Sequence, residues 1–232
     1  MPQSRLQKAI ATLKKRYGPS KPRLGGRDLF GLIMADMVAE VATDEHRAKV
    51  FADLKKQVGI TPRAILNAPL SVLVEICRRG GPIAIQHRAE RMQIAAAMVI
   101  DDFGGDLSTV LALDYKKASR ELQKLPSVAE SGSDRMLMIA RAHPVLGLES
   151  NAVRVLARLG YGGPKVSYTK WYRLVRDAAM AELKKDAAVL EEAALLLREH
   201  GKTTCKTSTP HCEVCPITAH CEWYRIHTPR GS

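Results

Sequence analysis

The hydrophobic positions of this chain recur with the period of an α-helix along most of its length. In the segment DLFGLIMADMVAEV, Leu29, Leu32, Ile33 and Met37 are spaced three or four residues apart, so they share one face of a helix. No segment shows sustained alternation of apolar and polar residues, so an all-α fold is predicted. Glycine, proline or aspartate marks the breaks between helical segments. Further helices are predicted at about 5–18, 47–58, 71–78, 87–103, 115–125, 134–142, 149–159, 170–183 and 187–200.

Composition narrows the kind of protein and its partner. The 232 residues are 46% hydrophobic and 26% charged, which suits one or two compact lobes. A formal net charge of +12 favours a polyanionic partner, with nucleic acid as the leading candidate and solubility as the alternative reason for the charge. No apolar run is long enough to cross a membrane and no signal peptide is recognised, so we expect a soluble protein of the cytoplasm. We also expect a monomer that is associated with the nucleoid.

Four of the five cysteines lie close together near the C-terminus. Cys205, Cys212, Cys215 and Cys221 follow the spacing Cys-x6-Cys-x2-Cys-x5-Cys. In a reducing compartment such a group indicates a metal or cluster rather than disulfides. Zinc sites more often use two separate Cys-x2-Cys pairs and this segment has one, so a [4Fe-4S] cluster is favoured and zinc is the alternative. Cys77 lies on an apolar helix face and is predicted to be a core residue.

Several segments together resemble one family. The cysteine spacing, the preceding LLLREHGKTTC, the segment LQKLPSVAESGSDRMLMIA and the segment PVLGLESNAVRVLARLG are similar to the endonuclease III branch of the helix-hairpin-helix DNA glycosylases. The resemblance implies a six-helix barrel lobe over 27–143, with its hairpin at about 125–132. It also implies a second lobe from 1–26 plus 144–232, with a [4Fe-4S] loop at 205–221. A groove between the lobes would take a flipped-out base.

The hairpin departs from the family pattern. Where the family has Leu-Pro-Gly-Val-Gly-x-Lys, residues 125–131 read Leu-Pro-Ser-Val-Ala-Glu-Ser. The resemblance makes Ser127, Val128 and Ala129 candidate DNA-binding residues, although the two lost glycines add a Cβ where backbone approaches a phosphate. Ser131 occupies the position of the lyase lysine. A hydroxyl cannot form a Schiff base, so AP-lyase activity is not expected.

The candidate catalytic carboxylate also differs from the family residue. Glu149 stands where the family has aspartate, so the charge is kept on a side chain that is one methylene longer. It is interpreted either as the carboxylate that stabilises positive charge on the sugar or as an acid that stabilises the start of its helix. Arg154, on the same helix, is predicted to contact phosphate or to pair with Glu149.

Other candidate DNA contacts follow from the same resemblance. Val41 occupies the position of a glutamine that fills the gap left by a flipped base. His87 and Arg88 fall where the family has a second loop that enters the DNA duplex, so they are predicted to insert beside the base or to contact phosphate. The alternative is that they form the solvated start of an α-helix. Lys202 and Lys206 flank the first cysteine of the loop and are predicted to contact phosphates.

These observations lead to one main hypothesis of function and one alternative. The main hypothesis is a base-excision repair DNA glycosylase, monofunctional, that acts on a damaged or mismatched base in double-stranded DNA. The alternative is a non-catalytic protein on the same fold that binds DNA or senses damage, because both hairpin glycines, the lysine and the aspartate are all replaced.

Overall fold

The computed structural model describes residues 2–19, 28–40, 42–163 and 167–227, and these residues form helices and loops without a strand. The all-α prediction is confirmed. No helix in these ranges is long and apolar enough to span a membrane. Short 3-10 segments lie at Ser108–Ala112, Cys212–Val214 and Thr218–His220. The α-helices are α1 (Arg5–Tyr17), α2 (Leu29–Val38), α3 (Asp44–Gln57), α4 (Pro62–Asn67), α5 (Leu70–Arg79), α6 (Ile85–Phe103), α7 (Tyr115–Lys124), α8 (Glu130–Ile139), α9 (Ser150–Arg158), α10 (Tyr168–Met180), α11 (Ala187–Thr203) and α12 (Glu222–His227).

The chain divides into two compact units. One unit comprises Met1–Pro22 together with Glu130–Ser232, and the other comprises Arg23–Ala129. Helix α8 therefore groups with the C-terminal helices, whereas the family resemblance implied that it belongs to the barrel lobe over 27–143. The reason lies in its buried face, since Asp134 of α8 is bonded to side chains of α10 and α8 also packs against α11.

The unit Arg23–Ala129 is built around α6. Its side chains Ala89, Met92, Ala96 and Val99 are buried, and α6 packs against α2, α4 and α5. These positions recur at helical spacing, so one apolar face of α6 forms the centre of the unit. The exposed face begins with His87, which pairs with Glu90 one turn later at 3.3 Å.

Arg88 lies in the core of this unit and not on a DNA-binding surface. Its side chain is 1% exposed, and the guanidinium donates four hydrogen bonds to backbone carbonyls at 2.6–2.8 Å. These bonds join the ends of α2 and α5 to the start of α6. The prediction that Arg88 contacts DNA is therefore wrong, because every part of its charged group is used inside the fold. The acceptors are the carbonyl oxygens of Val38, Cys77, Gly81 and Ile83.

The second unit is organised by the packing of α9 on α11. A Cβ added at Gly201 would lie 2.6 Å from the carbonyl oxygen of Asn151, so the two backbones touch at a place that only glycine permits. Arg154 of α9 reinforces this contact, donating to the carbonyl of Gly201 at 2.7 Å and to that of Cys205 at 3.0 Å. The start of α9 is thus held at a fixed place beside the last turns of α11.

Candidate functional site

In the turn between α7 and α8, a residue other than glycine adopts the left-handed backbone conformation. Ser127 has φ +64°, and the N–H of Val128 donates to the carbonyl of Leu125 at 3.2 Å. Ala129 is not among the described non-glycine residues with positive φ, so only the first of the two lost glycines is replaced at a strained position. A left-handed conformation costs a residue with a Cβ about 1–2 kcal/mol. The turn is therefore formed at a local cost.

The three candidate hairpin residues differ in their exposure and in whether their polar groups are already hydrogen-bonded. Ser127 and Ala129 are exposed, and Arg91 of α6 donates to the hydroxyl of Ser127 at 3.4 Å. Val128 is only 7% exposed, and its backbone N–H is already bonded within the turn. The prediction of a DNA contact by Val128 is therefore wrong for its side chain and for its N–H.

We predict that Ser127→Gly raises the free energy of unfolding by about 0.5–1 kcal/mol, because glycine adopts the left-handed conformation without a Cβ clash. Chemical denaturation measured by circular dichroism gives this value. The matched control is Ser131→Gly in the first turn of α8, which we expect to destabilise the protein because glycine weakens a helix. Loss of stability in both variants would show that the turn at Ser127 is not strained.

Glu130, the first residue of α8, carries a charge that the fold neutralises. Its carboxylate accepts from Arg173 Nε at 2.6 Å and from Arg176 Nη1 at 3.0 Å. Arg176 also donates to Asp134 at 2.7 Å, and Asp134 accepts from the hydroxyl of Tyr172 at 2.8 Å. Asp134 is completely buried, so the network fixes α8 against α10. The acid beside the turn is consequently paired, and its repulsion of a nearby anion is reduced.

The position of the lyase lysine holds no amine. Ser131 is a half-buried residue of the first turn of α8. Lys124, the nearest lysine before the turn, donates to Glu121 one turn earlier on α7 at 2.6 Å.

Glu149 is the N-cap residue of α9, but its side chain makes no capping hydrogen bond. The carboxylate instead forms an ion pair with Arg198 of α11. Arg154, also on α9, is half-buried and donates to Asn151, Gly201 and Cys205. Burial lowers the pKa of Arg154, and the negative charge of Glu149 opposes that shift. Its pairing with Glu149 or with a phosphate stays a prediction.

Tyr168, the first residue of α10, lies near Glu149. Burial raises the pKa of the Tyr168 phenol, and the negative charge of Glu149 raises it further. The residue is nevertheless 43% exposed. Tyr168 is therefore a partly exposed aromatic residue within electrostatic range of the carboxylate.

The four clustered thiols line one pocket, together with Arg158, His200 and Trp223. Donors surround the sulfur atoms. Arg158 Nη1 donates to Cys205 Sγ at 3.2 Å, and the N–H of Tyr224 lies 3.4 Å from Cys221 Sγ. His200 Nε2 is 3.5 Å from Cys215 Sγ. Such donors stabilise negative charge on sulfur and tune a metal bound there.

Three of the four thiols resist ionisation by themselves. Burial raises the pKa of Cys215 to about 11, and the neighbouring thiols add to this effect. Burial also raises the pKa of Cys212 and of Cys221. A bound metal centre would supply the positive charge that replaces the protons. Burial likewise raises the pKa of Cys77 to about 11. Cys77 is fully buried, and its thiol lies 3.7 Å from the sulfur of Met92, as expected of a core thiol.

The thiol group suits more than one kind of metal centre. In the described ranges, no group of three or more His, Cys, Asp and Glu side chains is arranged to hold a metal ion. The four thiols nevertheless line one pocket. Four thiolates are a ligand set for a tetrahedral zinc ion or for a [4Fe-4S] cluster. The residues present therefore fit both groups.

The loop that carries Cys205 is basic and held by arginine. Arg158 donates to the carbonyls of Lys206 at 2.6 Å and Thr207 at 2.8 Å. Lys206 is exposed, and its amine donates to the carbonyl of Lys202 at 2.5 Å. Val41, the remaining candidate, lies outside the described residues.

The sequence interpretation missed two residues that form ion pairs in this unit, Arg198 and Asp134. Arg198 directly follows three leucines in the run LLLREHG, and a charged residue at the edge of an apolar run is a usable signal. Asp134 gave no signal, because its burial depends on Tyr172 and Arg176 some forty residues later in the chain.

Comparisons with known proteins agree with the resemblance found in the sequence. No protein-family model matches the chain. It is 26% identical over 199 residues to an endonuclease III of Sulfolobus acidocaldarius, covering 85% of this chain and 83% of that protein. It is 24% identical over 198 residues to an endonuclease III of Thermotoga maritima, covering 85% and 84%.

The fold is shared with a solved structure of endonuclease III trapped as a covalent intermediate with DNA. The TM-score is 0.78 at 23% identity, covering 98% of this chain and all of that one. The predicted helix-hairpin-helix glycosylase fold is therefore confirmed, and the chain is similar to endonuclease III over most of its length.

Proposed function

We propose that this protein is a DNA glycosylase of base-excision repair that releases a damaged or mismatched base and does not cleave the strand. The observation that carries the proposal is a partly buried carboxylate, Glu149, at the start of α9 in an endonuclease III-like fold. A base within a duplex is out of reach, so such an enzyme must turn the nucleotide out of the helix before it acts.

The chemistry assigned to the site is simple. As the bond between base and sugar breaks, positive charge develops on the sugar, and the carboxylate of Glu149 stabilises it and orients the attacking water. Ser131 offers no amine for a Schiff base with the sugar, so hydrolysis ends the reaction. Tyr168 would supply a partly exposed aromatic ring within electrostatic range of the carboxylate.

The proposed partner is double-stranded, damaged DNA bound by a monomer inside the cell. The net charge of +12 supports a polyanionic partner. Among the candidate contacts, Ser127, Ala129, His87 and Lys206 are exposed and remain available. Lys202 and Val41 remain candidates from the sequence.

We further propose that Cys205, Cys212, Cys215 and Cys221 hold a [4Fe-4S] cluster. The four thiols line one pocket, in which Arg158 and a backbone N–H donate to sulfur and His200 Nε2 lies 3.5 Å from Cys215 Sγ. The cluster would supply structural stability, since it would cross-link the loop that carries Lys206. Arg158 and Arg154 would hold that loop from α9.

The first experiment tests base release. Purified protein is incubated with duplexes that carry uracil, oxidised pyrimidines, alkylated purines, deaminated purines or adenine mismatches, each with and without hot alkali. We expect strand cleavage of at least one duplex only after alkali, which reveals an abasic site. Nicking without alkali would refute the role given to Ser131. Salt-sensitive binding without any base release would support the non-catalytic alternative, which the lost glycines favour.

Metal analysis tests the cluster. For protein purified without oxygen, we expect about four iron atoms and four sulfides per chain. Cys215→Ser should lose iron and stability together, whereas Cys77→Ser should keep its iron content. A content of about one zinc ion and no iron per chain would contradict the cluster and support zinc as the bound metal.

A further inference from the structure

Arg198 pairs with Glu149 across two helices. The side chains are 18% and 23% exposed, so the ion pair is partly shielded from water. A shielded pair holds its geometry better than one on an open surface, because the charges attract more strongly at lower effective dielectric constant. We propose that Arg198 is the positioning residue that holds the carboxylate of Glu149 in reach of the sugar. This inference rests on the proposed glycosylase function.

The arginine is itself held in place by the helices. Arg198 and Gly201 are three residues apart and so lie on the same side of α11. At Gly201 the backbone of α11 touches that of α9 at Asn151, two residues after Glu149. Arg154 bonds across the same contact. The distance from the stem of Arg198 to the start of α9 is therefore set by packed backbone and not by a flexible loop.

A glutamate at this position needs such a restraint. Its side chain has one more rotatable bond than an aspartate, and ordering that bond opposes catalysis unless a partner fixes it. Backbone capping does not do this, because Glu149 makes no hydrogen bond to the first turn of α9. The ion pair engages Oε1. We assign Oε2 to the sugar or the attacking water, so that one oxygen is held while the other reacts.

The positive charge of Arg198 also disfavours the reaction, because it repels the positive charge that develops on the sugar. A positioning role is advantageous only if the gain in geometry exceeds this electrostatic loss. A displacement on the order of 1 Å can cost about a hundredfold in rate, which is large enough for geometry to dominate. The proposal therefore requires that removal of Arg198 slows base release rather than accelerating it.

The test compares single-turnover rates of base release at saturating DNA in wild type, Arg198→Met, Glu149→Asp and the double variant, using the substrate found by the duplex panel. We expect Arg198→Met to slow release by about 10- to 100-fold with DNA affinity unchanged. In a chain carrying Glu149→Asp, the side chain has one rotatable bond fewer and depends less on Arg198 for its position, so the added Arg198→Met should change the rate by less than about threefold. Arg198→Lys should restore part of the lost rate.

The control and the contrary outcomes are distinct. Lys14→Met removes another cation that pairs with α11, through Glu192 at 2.8 Å, and should leave the rate within about twofold of wild type. Equal slowing by Arg198→Met in both backgrounds would assign Arg198 a structural role and overturn the proposal, as would an unchanged or faster rate. A wild-type protein that releases no base would instead overturn the proposed function, and this inference with it.

Discussion

Replacing Arg88 by methionine should destabilise the protein by about 3–5 kcal/mol, as expected when a buried charged group with several partners is removed. Methionine fills the space of the arginine stem but donates no hydrogen bond. Four carbonyl oxygens at the ends of α2 and α5 and before α6 would then lose a donor inside the protein. Each unsatisfied buried acceptor costs about 1–3 kcal/mol, reduced where water can enter. Urea denaturation followed by circular dichroism measures the loss.

Arg91→Met is the matched control for this prediction. Arg91 lies on the same helix but is exposed, and we expect its replacement to change stability by less than about 0.5 kcal/mol. Arg88→Lys should also be strongly destabilised, because one ammonium group cannot reach four acceptors. If Arg88→Met kept the stability of the wild type but bound DNA more weakly, this prediction would be contradicted and Arg88 would be assigned a DNA contact.

The case of Arg88 shows how a charged residue can mislead a sequence interpretation. Its place in a family loop suggested a DNA contact, yet Arg88, Met92, Ala95 and Val99 follow one another at helical spacing on the buried face of α6. The periodicity therefore contained the information that the residue points inward. Its acceptors come from three separate parts of the chain, and no local pattern identifies them.

The long helices were predictable because each buries a wide apolar stripe. The six-residue helices α4 and α12 were missed, since little more than one helical turn gives no repeat to recognise. Helix α8 begins at Glu130, although the apolar stripe suggested a start near 134. Its first turn is polar because Glu130 pairs with Arg173 and Arg176 of α10, and such pairing depends on tertiary contacts.

The parts of the candidate site that lie close together in the sequence were predictable, and the parts that come from distant segments were not. The four cysteines lie within one short segment, so their gathering at a single pocket follows from sequence spacing. The pairing of Glu149 with Arg198 depends instead on the packing of α9 against α11. The sequence located the carboxylate, but the residue that holds it is nearly fifty positions away.

Glu149→Gln should slow base release by at least about 100-fold while leaving DNA affinity within about threefold of wild type. Glutamine has nearly the same size and shape, so the start of α9 is preserved and only the negative charge is lost. That charge is what stabilises the cationic sugar and orients water. Single-turnover release and fluorescence anisotropy on the same duplex measure the two quantities separately.

Stability must be measured in the same variant, because Arg198 loses its ionic partner and we expect a cost of about 1–3 kcal/mol. Asp186→Asn is the control: it removes an acid at the N-cap of α11, where the side chain bonds Ala188 and Val189, and should leave the rate within about twofold of wild type. Unchanged base release in Glu149→Gln would show that another group carries the reaction. Lost release together with lost DNA binding would point to a folding defect, so only slow release with intact binding supports Glu149 as the catalytic carboxylate.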